Sequence, residues 1–205
     1  MFAFQCQPFA KSLARAVMLV LAALGCLASA QDVAAQAAPS PRRYRIIDLG
    51  TLGGTDSRAY GVNNKGQVVG EAIGGPADPF GYGKAFVWTG GAMRGIAGVT
   101  GGSFTFSQAS AINNHGKVVG IFDPSDEGPN NTGGPVQLFL YDISTGSLSL
   151  SPGAGVDIND AGQILSFQQL PTGGTSAVIL SGSGVTDLGA LFGEPFAGRQ
   201  INASG

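Results

Sequence analysis

What this sequence has least of is charge. Lys and Arg together number 11 and Asp and Glu 13 in 205 residues, for a net charge of -2. There is no basic footprint of the kind nucleic-acid binding needs. Cysteine is almost as scarce: Cys6 and Cys26 both lie in the first 30 residues, so a chain that loses this segment has no thiol, no disulfide framework and no cysteine-based metal site. His115 is the only histidine. A Ser-His-Asp mechanism would have to use it, no nucleophile elbow surrounds it, and a histidine zinc site lacks partners. Helix-forming Glu, Lys and Gln are sparse beyond the N-terminus, whereas glycine is abundant at 34 residues. This balance favours strands and turns.

The first segment reads as an export signal. Lys11 and Arg15 precede the apolar run Ala16–Ala30, which ends on Ala28-Ser29-Ala30, the small-residue pattern cut by signal peptidase. The run is about 15 residues, short of the roughly 20 that span a bilayer. An uncleaved anchor or a buried helix is the alternative. Gly25-Cys26 also ends like a lipobox, although Ala23 fits that pattern poorly. The expectation is a signal helix over residues 1–30, cleaved after Ala30, with Ala28 and Ala30 as cleavage determinants and only a transient membrane contact. Residues 31–43, rich in Ala, Pro and Ser, read as a disordered linker. The remainder is expected to be extracytoplasmic: secreted, periplasmic or held at the cell surface.

From residue 44 onward the chain repeats itself. Asn63-Asn64-Lys65-Gly66 returns as Asn113-Asn114-His115-Gly116, Asn159-Asp160-Ala161-Gly162 and Asn202-Ala203-Ser204-Gly205, each time after Val or Ile. A strand pattern follows the first three glycines: Gln67–Gly70, Lys117–Gly120 and Gln163–Ser166. A second lies over Ala85–Trp88, Leu138–Tyr141 and Ala177–Leu180, and a third over Arg94–Ile96, Ser147–Leu150 and Val185–Leu188. Tyr44–Gly50 matches the third pattern and is most like Thr186–Gly189. Asn-x-x-Gly between apolar stretches reads as a tight turn in which Asn63, Gly66, Asn113, Gly116, Asn159, Gly162, Asn202 and Gly205 tolerate positive φ. Neighbours in Ala85-Phe86-Val87-Trp88 point to opposite faces and are all apolar. A sheet with one wet face would alternate, so each sheet is expected to lie between two others. The fold expected is all-β: tandem four-stranded antiparallel units stacked as a partial β-propeller, with units near 44–91, 92–145 and 146–184 and a partial one at 185–205.

Three motifs occur in order: Asp48-Leu49-Gly50-Thr51-Leu52-Gly53-Gly54, Val62–Gly70 and Lys84-Ala85-Phe86-Val87-Trp88. With these the chain resembles the HAF repeat family of extracellular bacterial repeat proteins, over about residues 44–205. The resemblance implies export and repetition and no defined activity. The family's His-Ala-Phe step reads Lys84-Ala85-Phe86, Gln137-Leu138-Phe139 and Ser176-Ala177-Val178, so the histidine is replaced each time.

Candidate sites fall on loops. The stretch 123–131 places Asp123, Asp126 and Glu127 close together; a solvated connection is favoured there over weak calcium binding. The corresponding first-unit loop carries Phe80 and Tyr82. If the two loops share a face, these five residues are the best candidate binding surface. Phe104 and Phe106 fit core packing better. Asp157–Gly162 resembles a calcium loop but has Ala161 at the fifth position and lacks the closing Glu. No catalytic set and no cofactor or metal site emerges, so the expectation is not an enzyme but an exported scaffold or binding module for an extracellular glycan or protein. Its alternatives are a glycan-active hydrolase or lyase using Asp and Glu, and a truncated fragment of a longer repeat protein with no independent function. An uncapped sheet face would invite self-association.

Overall fold

The computed structural model describes residues 43–75, 81–100, 105–124, 135–169, 174–189 and 199–202. The signal segment with Ala28 and Ala30, most of the linker, and Phe80, Phe104, Asp126, Glu127 and Gly205 lie outside the described residues. The chain divides into two units, Met1–Ile47 and Asp48–Gly205. Of the first, Arg43–Ile47 is described; it forms no strand and its side chains are exposed.

The second unit is built from strands. β1 (Gly53–Val62), β2 (Val68–Gly74), β3 (Gly83–Thr89) and β4 (Ala92–Gly95) form the first sheet. β5 (Phe106–Ile112), β6 (Lys117–Asp123), β7 (Gln137–Asp142) and β8 (Leu148–Pro152) form the second. β9 (Ala154–Ile158), β10 (Ile164–Gln169), β11 (Thr175–Ser181) and β12 (Gly184–Asp187) form the third. Each is an antiparallel meander in sequence order, and the three do not close into a ring. Sheet boundaries fall later than the unit boundaries read from the sequence. The pattern at Arg94, Leu148 and Val185 is the fourth strand of the sheet before it, because a short turn returns it antiparallel onto β3, β7 or β11.

The first strand of each later sheet nests on the sheet before it. β5 lies against β1, β2 and β3; β9 lies against β5, β6 and β7. One core joins Val69, Ala85 and Val87 to Ala109, Ile112, Val118 and Phe139. The next joins Ala111, Val119 and Leu138 to Ile158 and Ile164. Thus Val118 serves one core and its neighbour Val119 the other, as do Phe139 and Leu138. Alternate side chains point to opposite faces, so a sheet between two others must be apolar on both. Burying each such side chain contributes roughly 1.5–3 kcal/mol.

The Asn-x-x-Gly segments are three-residue hairpin turns. Gly66 N–H donates to Asn63 O at 3.0 Å and Asn63 N–H to Gln67 O at 3.1 Å; the pattern recurs at Asn113 and Asn159. Gly66, Gly116 and Gly162 sit at φ of 71°, 85° and 80°, but no described non-glycine residue has positive φ. The asparagines are therefore not there for conformational tolerance, and their role is in their amides. Asn63 Oδ1 accepts from the N–H groups of Lys65 and Gln67, both at 3.0 Å. Asn63 Nδ2 donates across to Asn113 O at 3.1 Å, Asn113 Nδ2 to Asn159 O at 3.1 Å, and Asn159 Nδ2 to Asn202 O at 2.9 Å. A second line runs beside the first, with Asn64 N–H donating to Asn114 Oδ1 at 2.9 Å and Asn114 N–H to Asp160 Oδ1 at 2.8 Å.

Two substitution sets test this. Asn113→Ala strands the His115 and Lys117 N–H groups and takes from the Asn159 carbonyl one of its two donors, and should cost about 2–3 kcal/mol. Asn113→Asp keeps the turn acceptor and should cost less, and exposed Lys65→Ala should stay within about 0.5 kcal/mol. Urea denaturation reads all three; an Asn113→Ala midpoint matching that of Lys65→Ala would refute the ladder.

Candidate functional site

The first strands of the three sheets share an irregularity. Pairing with the second strand skips one residue, at Tyr60 in β1, Ser110 in β5 and Val156 in β9. All three lie three positions before the turn asparagine. Such a bulge leaves one residue out of the ladder and re-aims its side chain. The cause lies in the residues beside it. Opposite the bulges, Ala59 pairs with Gly70, Ala109 with Gly120 and Gly155 with Ser166. A Cβ on Gly70 would lie 1.9 Å from Arg58 O, and one on Gly120 2.0 Å from Gln108 O. The third sheet reverses the pair because its closest approach is to the sheet before it: a Cβ on Gly155 would meet Gly120 O at 2.9 Å.

Tyr60, Ser110 and Val156 line a groove of about 620 Å³ along β1, β5 and β9. Gln108, Asp157, Phe167 and the segment Arg199-Gln200 complete its walls. The volume is that of a small-ligand site. Tyr60 is fixed in the wall, because its hydroxyl donates to Glu71 Oε1 at 2.9 Å, and Arg58 Nη1 donates to the same oxygen at 3.0 Å. Burial first, and then the Glu71 carboxylate, hold the Tyr60 phenol above its ordinary range, so it stays a donor. Hydrogen bonding to Glu71 likewise raises the Arg58 guanidinium. Asp157 has both oxygens engaged at 2.9 Å, Oδ1 with Ile158 N–H and Oδ2 with Ile201 N–H.

The loop candidates lie elsewhere. Tyr82 and Asp123 sit at the end of the sheets away from the asparagine turns, half-buried, and neither lines the groove. Phe80, Asp126 and Glu127 fall outside the described residues. Phe106 begins β5 and packs beside Gly83. His115 sits in its turn with its N–H on Asn113 Oδ1 at 3.0 Å. The Asp157–Gly162 segment spends its carboxylates on neighbours: Asp160 accepts from Asn114 N–H and Nδ2, both at 2.8 Å, which lowers its pKa. Among the described residues no group of three or more His, Cys, Asp or Glu is placed to hold a metal. None of the described helical segments is long and apolar enough to cross a membrane. Lys84 and Ser176, which stand at the same step of the repeat, are buried donors. Lys84 Nζ donates to the Thr105 carbonyl and hydroxyl, and Ser176 Oγ to Asp187 Oδ1. The groove residues escaped sequence reading because a bulge breaks the two-residue alternation that reports where side chains point. The only signal was variation, Tyr, Ser and Val, at one fixed distance from the asparagine.

Compared with known protein families, curated proteins and solved structures, the chain matches none of them.

The second turn differs from its neighbours in a way that pH reads. Gln67 and Gln163 accept from the turn asparagine at 2.7 and 2.6 Å, whereas Lys117 at that place pairs with Asp142 Oδ2 at 2.6 Å. Lys117 and the Ser144 hydroxyl and N–H hold the Asp142 carboxyl well below the usual carboxylate range. A depressed acid stabilises the fold above its unfolded pKa, about 3.9, and the contribution fades as pH falls through the folded value. Asp142→Asn should therefore be less stable than wild type at neutral pH, with the gap narrowing below about pH 4. A gap that stays constant on acidification would count against the pairing.

The groove side makes a second test. Gly120→Ala meets both Gln108 O and the Phe139 ring, the latter at 2.6 Å, and should cost more than about 3 kcal/mol. Gly66→Ala has open space around it and pays only for its φ, about 1–2 kcal/mol. Thermal unfolding of the two variants gives the ranking, and equal losses would contradict the close approach.

Proposed function

We propose that the chain is an exported, non-catalytic binding module of the HAF repeat type, whose sheets are successive blades of a partial β-propeller. Its groove takes an uncharged, hydroxyl-rich ligand, and a glycan fits best. The observation that carries this reading is the contrast between constant and varied positions. Asn63, Asn113 and Asn159 hold the scaffold identically, while Tyr60, Ser110 and Val156, released from pairing at one shared bulge, give the groove different chemistry at each step. An aromatic ring, a hydroxyl and the Gln108 and Gln200 amides suit a neutral polar ligand. The positive start, short apolar run and Ala28-Ser29-Ala30 support passage through the membrane and an extracytoplasmic home.

The reading as a glycan-active hydrolase finds less support. Hydrolysis of this kind uses two carboxyl groups flanking the bond. Asp157 is the acid among the described groove residues, and both its oxygens are committed to backbone N–H groups.

Calorimetry of the secreted protein with cellohexaose, maltohexaose and chitohexaose tests the reading. At least one should bind. Tyr60→Ala should weaken it about tenfold, and Ser110→Trp, which fills the groove, should abolish it. N-terminal sequencing should find Gln31 first. Absence of binding to all three sugars would overturn the glycan reading, and release of shorter sugars would replace it with the hydrolase.

A further inference from the structure

A second cavity, of about 580 Å³, adjoins the groove, and the two share Ala154 and Phe167 among their lining residues. The shared pair marks a step at which the sheets differ. Glu71, Ile121 and Phe167 occupy the same place in the second strands, each with one partner directly opposite on either side. Glu71 lies between Arg58 and Ala85, Ile121 between Gln108 and Leu138, and Phe167 between Ala154 and Ala177. Directly opposed residues of an antiparallel pair share a face. In the first sheet the long partner is spent on its neighbour, Arg58 Nη1 donating to Glu71 at 3.0 Å. In the second the long partner, Gln108, lines the groove. In the third both partners are single methyl groups, so no large side chain stands opposite Phe167, which stays half-buried.

The second cavity has walls of its own. Pro135, Val136 and Pro152 give it exposed apolar surface, and Gln169 and Thr175 give it exposed polar groups. None of its described lining residues is charged. Its wall is held by the protein itself: Gly153 N–H donates to Val136 O at 3.2 Å, and Gln168 Nε2 to Pro152 O at 3.4 Å. Proline has no side-chain rotamer freedom to lose, so this wall is organised ahead of binding. A single small-molecule site occupies roughly 300–1,000 Å³. Each cavity reaches that size alone, and two in series suit an extended ligand.

We infer that the two cavities are one binding track, with Phe167 as the platform at their joint, and that the track takes a linear, uncharged glycan chain rather than a compact sugar. The inference rests on the glycan reading of the groove and adds to it a second subsite and a ligand shape. An extended peptide would bind by adding a strand, which uses an unbroken row of backbone groups. The bulges at Tyr60, Ser110 and Val156 interrupt that row on every leading strand along the groove. A glycan needs no such row. Its rings lay their apolar faces on Phe167 and the two prolines, and its hydroxyls meet Gln108 in the groove and Gln169 and Thr175 beyond the joint.

Calorimetry of the full chain as secreted, with cello-, malto- and chito-oligosaccharides from disaccharide to hexasaccharide, tests it. In the series that binds, affinity should rise about tenfold between the two ends. Gln169→Leu combined with Thr175→Val removes the polar groups of the second cavity at exposed positions outside the groove. With an unchanged circular dichroism spectrum, this variant should erase the gain and leave the disaccharide affinity as it was. Phe167→Leu keeps an apolar side chain at the joint and should erase the same gain. Equal affinity for disaccharide and hexasaccharide overturns the inference and leaves the glycan reading standing. A length gain indifferent to both changes overturns it too, since the chain would then run elsewhere. Tighter binding of a Ser-Gly hexapeptide would give the track to a peptide instead. If no sugar of any length binds, the glycan reading falls and this inference falls with it.

Discussion

An asparagine amide has an acceptor at one end and donors at the other, and at Asn63, Asn113 and Asn159 the two ends serve different neighbours. The oxygen closes the residue's own turn by taking N–H groups that a hairpin would otherwise leave to water. The nitrogen reaches the carbonyl of the next turn. That carbonyl is already held by its own glycine, so one oxygen uses both lone pairs, one within a unit and one between units. The geometry of a turn is thereby tied to the spacing of sheets. Aspartate lacks the donor, serine lacks the reach, and glutamine would place the same groups one methylene too far out. Hydrophobic burial supplies most of the favourable free energy between sheets, but it is non-directional. The amide line sets the register in which that burial occurs.

Much of this architecture was legible in the sequence. The repeat of Asn-x-x-Gly and the doubly apolar strands are direct consequences of the contacts that make them, so they report four-stranded antiparallel units one against another. Three things were not legible. The fourth strand was read as the head of the following unit, since only pairing, not sequence, says which sheet a strand joins. The asparagines were credited with backbone tolerance, because composition cannot separate a residue that permits a turn from one that bonds across it. The groove went unseen, since the bulges at Tyr60, Ser110 and Val156 depend on how near β1, β5 and β9 run to backbone at Gly70, Gly120 and Gly155. Loop polarity drew attention to Asp123 and Tyr82, although the strand interiors carry the concave surface.

Small residues and varied residues have a division of labour here. Ala59 with Gly70, Ala109 with Gly120 and Gly155 with Ser166 keep each pair slender, which lets the leading strand bend inward. Once it bends, the bulge side chain lines the groove and is absent from the buried core. Its identity is then free of the packing rules that fix Val119 or Phe139, and a change there alters the groove without disturbing the stack. The chemistry of the groove wall and the packing of the stack are thus assigned to adjacent residues of one strand.

The turn asparagines lie 50, 46 and 43 residues apart along the chain, yet they meet at the same bond length within a few tenths of an ångström. The connecting segments differ in length, 75–82, 124–136 and 170–174 between second and third strands, and 96–105 against the single residue 153 between one sheet and the next. The stack therefore counts turns rather than residues. A duplicated or deleted unit would leave an unbroken line of amide bonds, so a repeat of this kind can lengthen or shorten by whole units without losing register.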